Sequence, residues 1–129
     1  MASRDKVESF LLKLALSYQE AGKNSWVVQD PDKGIADLQV IIAEPLVILR
    51  LNVLEAPATG REKLFEQLLR LNATDMVHGA YALDGKNVVI LDTLEAETLD
   101  IEEFQASVDA IGLALAQHHR LLTPYRAAH

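Results

Sequence analysis

Histidines and carboxylates do most acid–base and metal chemistry in proteins, and their spacing in this chain decides whether they can do it here. His118 and His119 are adjacent. On a helix, neighbours point about 100° apart, whereas a pair sharing one face needs a step of three or four residues. With Arg120 they read instead as cations near a helix C-terminus, where the dipole favours positive charge. His78 has no acidic residue at a spacing that a hairpin would bring opposite it, and reads as structural. Glu95, Glu97, Asp100, Glu102 and Glu103 form an acidic cluster, and convergent carboxylates would suit a hard cation. The cluster lacks the glycine and ligand spacing of a calcium loop, and a helix dipole alone accounts for acids at a helix start. Trp26, the only tryptophan, reads as core.

The chain contains no Gly-x-x-x-x-Gly-Lys phosphate loop, no Gly-x-Gly-x-x-Gly fingerprint, no Gly-x-Ser-x-Gly elbow and no His-Glu-x-x-His helix. With no cysteine, thiol nucleophiles, disulfides and thiolate zinc sites are excluded. The sequence therefore assigns no catalytic residue, no metal ligand and no cofactor, and the expectation is a protein that is not an enzyme. A net charge of -7 argues against nucleic acid as a partner, because that affinity comes largely from cations neutralising phosphates. No stretch approaches the ~20 apolar residues that span a bilayer, nor does the start have signal-peptide character. The expectation is a cytoplasmic protein without membrane insertion.

Half of the 129 residues are apolar, enough for one domain with its own core. We expect a single domain over 1–129, ordered from about 3 to 123. Val7, Phe10, Leu11, Leu14 and Tyr18 recur at helical steps, predicting a helix over 3–21 closed by Gly22. Trp26-Val27-Val28 predicts a short strand, followed by a turn at Asp30-Pro31-Asp32-Lys33-Gly34. Ile35 to Ala43 and Leu46 to Leu54 predict a hairpin about Glu44-Pro45. Alternation places Leu38, Val40, Ile42, Val47, Leu49, Leu51 and Val53 on a core face. The other face carries Asp37, Gln39, Arg50 and Asn52, but also Ile35, Ile41, Leu46 and Ile48, more apolar surface than solvent requires.

Thr59-Gly60-Arg61-Glu62 has the spacing of a capping box and predicts a second helix through Asn72-Ala73, in which replacing Thr59 by Ala would cost about 1 kcal/mol. Its broad apolar side, Leu64, Phe65, Leu68, Leu69 and Leu71, needs either the chain's own sheet or a second subunit. Val77 to Leu83 and Val88 to Thr93 flank Asp84-Gly85-Lys86-Asn87 and predict a second hairpin. Asp100 and Glu103 open a last helix, striped by Ile101, Phe104, Val108, Ile111, Leu115 and Leu122 and ended by Pro124. Tyr125 to His129 read as a loose tail. The result is an α+β domain, α-β-β-β-α-β-β-α, with an antiparallel five-stranded sheet and helices 1 and 3 packed on one face.

This order resembles the type III secretion chaperone fold (the Tir chaperone family) and the related YbjN-like proteins. The carriers are the opening helix Val7 to Tyr18, the segment Leu68-Leu69-Arg70-Leu71-Asn72, and the hairpin Gly79-Ala80-Tyr81-Ala82-Leu83-Asp84-Gly85-Lys86-Asn87-Val88-Val89-Ile90-Leu91. The resemblance implies a homodimer joined partly through helix 2, and apolar surface on which a segment of a client protein lies. Mapped onto this chain, the dimer candidates are Phe65, Leu68, Leu69 and Leu71, and the partner-binding candidates are Ile35, Ile41, Leu46 and Ile48. Sheet edges offer a second mode, backbone pairing with a client strand. The expected function is a non-catalytic chaperone- or adaptor-like module, with itself and a client or regulatory protein as partners. The alternative is a YbjN-like regulatory or stress-response protein sensing a protein or small ligand.

Overall fold

The computed structural model describes residues 2–126. In chain order its elements are α1 (Ala2–Lys13), β1 (Ser17–Gly22), β2 (Ser25–Asp30), a 3-10 turn (Pro31–Lys33), β3 (Ile35–Ala43), β4 (Leu46–Glu55), α2 (Arg61–Thr74), β5 (Ala80–Asp84), β6 (Asn87–Glu95) and α3 (Ile101–Arg126). The strands form one sheet in the order β1-β2-β3-β4-β6-β5, and every neighbouring pair is antiparallel.

The sheet has six strands rather than five, because the opening helix ends at Lys13. There Ala15 takes a left-handed conformation (φ 56°). The Leu16 amide returns to the Leu11 carbonyl at 3.1 Å and the Ala15 amide to that of Leu12 at 3.1 Å. This is the hydrogen-bond pattern of a Schellman close, with alanine where glycine is usual. Tyr18, which fits a helical stripe with Leu14, instead lies on edge strand β1, where every other residue is exposed. A strand with one solvated face and one nearly solvated face carries no alternation, so helical spacing is the only pattern its sequence shows.

Elsewhere the apolar parity of the strands determines the core. Trp26, Val28, Leu38, Val40, Ile42, Val47, Leu49 and Leu51 are all buried, in one cluster with Val7, Phe10 and Leu11 of α1 and Phe104, Val108 and Ile111 of α3. The two helices meet where the Phe10 and Phe104 rings lie 5.8 Å apart. Lys6 fastens α1 further, donating to the Ala96 carbonyl at 2.9 Å. Among the described residues no helix is long and apolar enough to cross a membrane.

Three local expectations change. Thr59 makes no cap: α2 starts after Gly60, held at φ 73° with no side-chain cap bond, so glycine's tolerance of that angle sets the start. Pro124 lies inside α3, not at its end. The helix continues because Tyr125 packs against the core and Arg126 donates to the Val53 carbonyl at 3.1 Å. That contact also places residues 125–126 of the expected tail in ordered structure, while 127–129 fall outside the described residues. By contrast, the Asp100 box forms as expected, the Glu103 amide donating to Asp100 Oδ1 at 2.8 Å.

Candidate partner-binding surface

The sheet's second face is built by the register. Ile41 of β3 lies opposite Ile48 of β4, which lies opposite Thr93 of β6, and Leu46 lies opposite Ala43 and Glu95. Ile41, Leu46 and Ile48 are half-buried and none belongs to the core cluster. They cover one another across strands, as facing side chains on a pleat do. The adjoining row is polar. Arg50 donates to Gln39 Oε1 at 2.9 Å and pairs with Asp84; that link spans β6 above Val89, which is fully buried.

Ile35 does not join this surface. It is 1 % exposed and part of the core. Between Val28↔Leu38 and Asp30↔Ile35 strand β3 carries one residue more than β2. Such a bulge reverses the alternation beyond it, so Ile35 falls on the core side.

The two sheet edges differ. On β5, the Asn72 side chain of α2 clasps the main chain of Tyr81, accepting from its amide at 2.7 Å and donating to its carbonyl at 3.1 Å. The amide group thus stands in for a neighbouring strand and caps the edge. On β1 the edge lies at the surface, with Glu20 paired to Arg4.

Of the dimer candidates on α2, Leu68 and Leu71 are each 5 % exposed and packed in the chain's own core alongside Leu64. Leu69 is 68 % exposed. Phe65 is half-buried, with the Arg61 guanidinium 5.3 Å from its ring centre. The helix therefore spends one side on its own chain and leaves Leu69 outward. A Leu68→Asp change tests folding rather than assembly.

One polar arrangement escaped the sequence reading. His118 is buried, and its Nε2 lies 3.1 Å from Asp75 Oδ2 while Nδ1 lies 2.7 Å from the Tyr81 hydroxyl. An ionised carboxylate only accepts, so Nε2 donates to Asp75, and in the neutral ring Nδ1 then accepts from the Tyr81 hydroxyl. The chain ties the C-terminal cap of α2 to β5 and α3. Burial pushes the Tyr81 phenol up to about 12, and a hydrogen bond from Thr74, then one from His118, holds the Asp75 carboxyl below its ordinary range. Position 118 lies seven residues after Ile111 and four before Leu122, on the apolar stripe, and that spacing signals its burial. Asp75 and Tyr81 lie on other elements, and no spacing connects them. His119 is exposed and His78 half-buried, so His78, His118 and His119 do not converge. Among the described residues no group of acids and histidines is placed to hold a metal.

A family model described as CesT_Tir_1 matches residues 1–128. No curated protein sequence matches significantly. Solved structures that share the fold include these two. YbjN from E. coli is 17% identical, with a TM-score of 0.70 and 90% of each chain covered. The heterodimeric ExoU-SpcU complex of the Pseudomonas aeruginosa type III secretion system contains a chain 14% identical, with a TM-score of 0.71, covering 95% of this chain and 99% of that one.

Proposed function

The chain belongs to the CesT_Tir_1 family, a type III secretion chaperone family, and on that premise we propose that it is a non-catalytic module that holds a segment of a partner protein. The observation that supports this most directly is the Ile41, Leu46 and Ile48 surface, apolar, half-buried and outside the core cluster. Burying such residues is worth about 25 cal/mol per Å² of apolar area, and the fold itself leaves that area unused. In the ExoU-SpcU complex a protein of this fold is seen in a heterodimer, which favours a protein as the occupant here.

The Asp75–His118–Tyr81 chain is consistent with this reading. A phenol that stays protonated to about pH 12 and is 6 % exposed is no nucleophile at neutral pH, and its partners are spent on joining three elements. The homodimer that the family resemblance implies would form through the outward side of α2, with Leu69 central and Phe65 beside it. The test is co-purification of the tagged chain from its own cells, beside Ile48→Lys and Leu69→Asp variants. We expect one stoichiometric polypeptide with the unaltered chain, its loss with Ile48→Lys at unchanged thermal midpoint, and a monomer with Leu69→Asp. Retention of the same polypeptide by Ile48→Lys would remove the second face from the function.

The likeness to YbjN supports a second reading, a regulatory protein that senses a ligand. A small ligand at ~100 times its dissociation constant would stabilise the chain by about 2.7 kcal/mol without any polypeptide in attendance.

A further inference from the structure

Strands β3 and β4 pair from Ala43↔Leu46 only as far as Leu38↔Leu51. Beyond that point they part. The start of β3 stays with β2 through Asp30↔Ile35, while the end of β4 stays with β6 through Leu54↔Val88 and Glu55↔Asn87. Each strand has a bulge at the parting. On β3 the extra residue falls at Ala36–Asp37, against Gln29; on β4 it falls between Asn52 and Leu54. Bulges re-aim a strand and end its pairing, and here two of them face each other inside a sheet.

The space they open is a cleft of about 1110 Å³, lined on one side by Ala36 and Asp37, on the other by Asn52 and Val53, and floored by Leu113 and Ala116 of α3. The main-chain groups that β3 and β4 would have exchanged there have no partner strand. One is occupied: Arg126 Nη1 donates to the Val53 carbonyl at 3.1 Å, while its buried Nε has no partner among the described residues. Unpaired strand edges are templates for another strand, and three residues of β3, Ile35 to Asp37, offer about 10 Å of template.

We propose that this cleft is a slot for a short extended peptide segment, bound by main-chain hydrogen bonds to β3 and β4, with alternate side chains against Leu113 and Ala116. A small rigid ligand would not match two facing backbone edges; a peptide does. Its outward side chains would meet Asp37, which is exposed, is in no ion pair among the described residues and lies 3.4 Å from the Gln29 side-chain amide. A basic residue between two apolar ones therefore fits the slot best. The inference rests on the protein-binding reading above and adds a second contact for the same partner.

The probe is the peptide acetyl-Thr-Val-Lys-Val-Thr-amide, titrated into the ¹⁵N-labelled full chain while amide exchange is followed residue by residue. In the free protein the amides that point into the slot, among Ala36, Asp37, Asn52 and Val53, should exchange fast. At saturation they should gain about tenfold protection or more. The same peptide methylated on its valine nitrogens should give none. Ala116→Trp, at an exposed position on the cleft floor, should abolish the effect while leaving the rest of the spectrum in place. Slow exchange of all four amides in the free chain, no protection by the peptide, or protection indifferent to methylation and to Ala116→Trp each overturns the slot. If Ala116→Trp also keeps its co-purifying polypeptide while Ile48→Lys loses it, the slot falls and the protein-binding reading stands.

Discussion

Strands β3 and β4 carry the same kinds of residue to both sides of the sheet, and the two sides meet different fates. Val40, Val47 and Leu49 are at most 1 % exposed and share a cluster with both α1 and α3. Ile41 and Ile48, one position along, are half-buried and stand outside that cluster. Hydrophobicity and β-propensity do not distinguish them; parity against the helices does. The first set is consumed in making the domain. The second is left outside the core, which is the condition for a binding surface.

Replacement by alanine separates the two sets most sharply. Leu49→Ala leaves a cavity in a closed core and should cost about 2–5 kcal/mol. Ile48→Ala removes a side chain that only its cross-strand neighbours cover, and should cost under about 1 kcal/mol. Urea unfolding of the two variants measures the gap. Equal losses would mean that something already covers the second face, and the contrast would collapse.

How much of this was readable beforehand follows from the same parity. The β3–β4 hairpin, its core face and the last helix are legible because long apolar runs repeat at one period over many residues. Strand β1 is not, since an edge strand with nearly all of its side chains in water has no period, and Tyr18 completes a helical one by coincidence. Ile35 falls on the core side, against simple alternation, because a bulge shifts parity without altering composition. The parting of β3 and β4 is hidden for the same reason. Of the candidate site, Ile41, Leu46 and Ile48 are legible as apolar residues on the wrong side of a strand. The chain Asp75–His118–Tyr81 joins positions 43 and 37 residues apart, and sequence alone carries no such distances.

That polar chain sharpens the comparison from the core side, where the buried Tyr81 hydroxyl is bonded to His118. Tyr81 has its phenol raised to about 12, first by burial. A raised value means that the folded state holds the proton more tightly than the unfolded one. Its stabilising share is whole below the ordinary tyrosine range and disappears as pH climbs toward 12, a loss of roughly 2 kcal/mol. Tyr81→Phe lacks that loss. It should start less stable near neutrality, by about 1–3 kcal/mol for the stranded His118 nitrogen, and the two stability curves should approach each other as pH rises from 10 to 12. Curves that stay parallel would show that the phenol is not confined as the structure has it.

The smallest effect concerns polar groups that are used and those that are spare. Asp100 and Thr59 both stand before a helix with a glutamate three residues on. Asp100 Oδ1 accepts the Glu103 amide at 2.8 Å, whereas α2 opens on Gly60 with no side-chain cap. Asp100→Ala should therefore cost about 1 kcal/mol. Thr59→Ala should stay within about 0.5 kcal/mol of the unaltered chain, despite a local sequence that favours a cap. The cause is backbone: at φ 73° Gly60 turns the chain between Thr59 and the first amides of α2, so the hydroxyl does not reach them. A Thr59→Ala loss as large as that of Asp100→Ala, in paired denaturation curves, would place the hydroxyl on those amides in solution and move the start of α2 back by one residue.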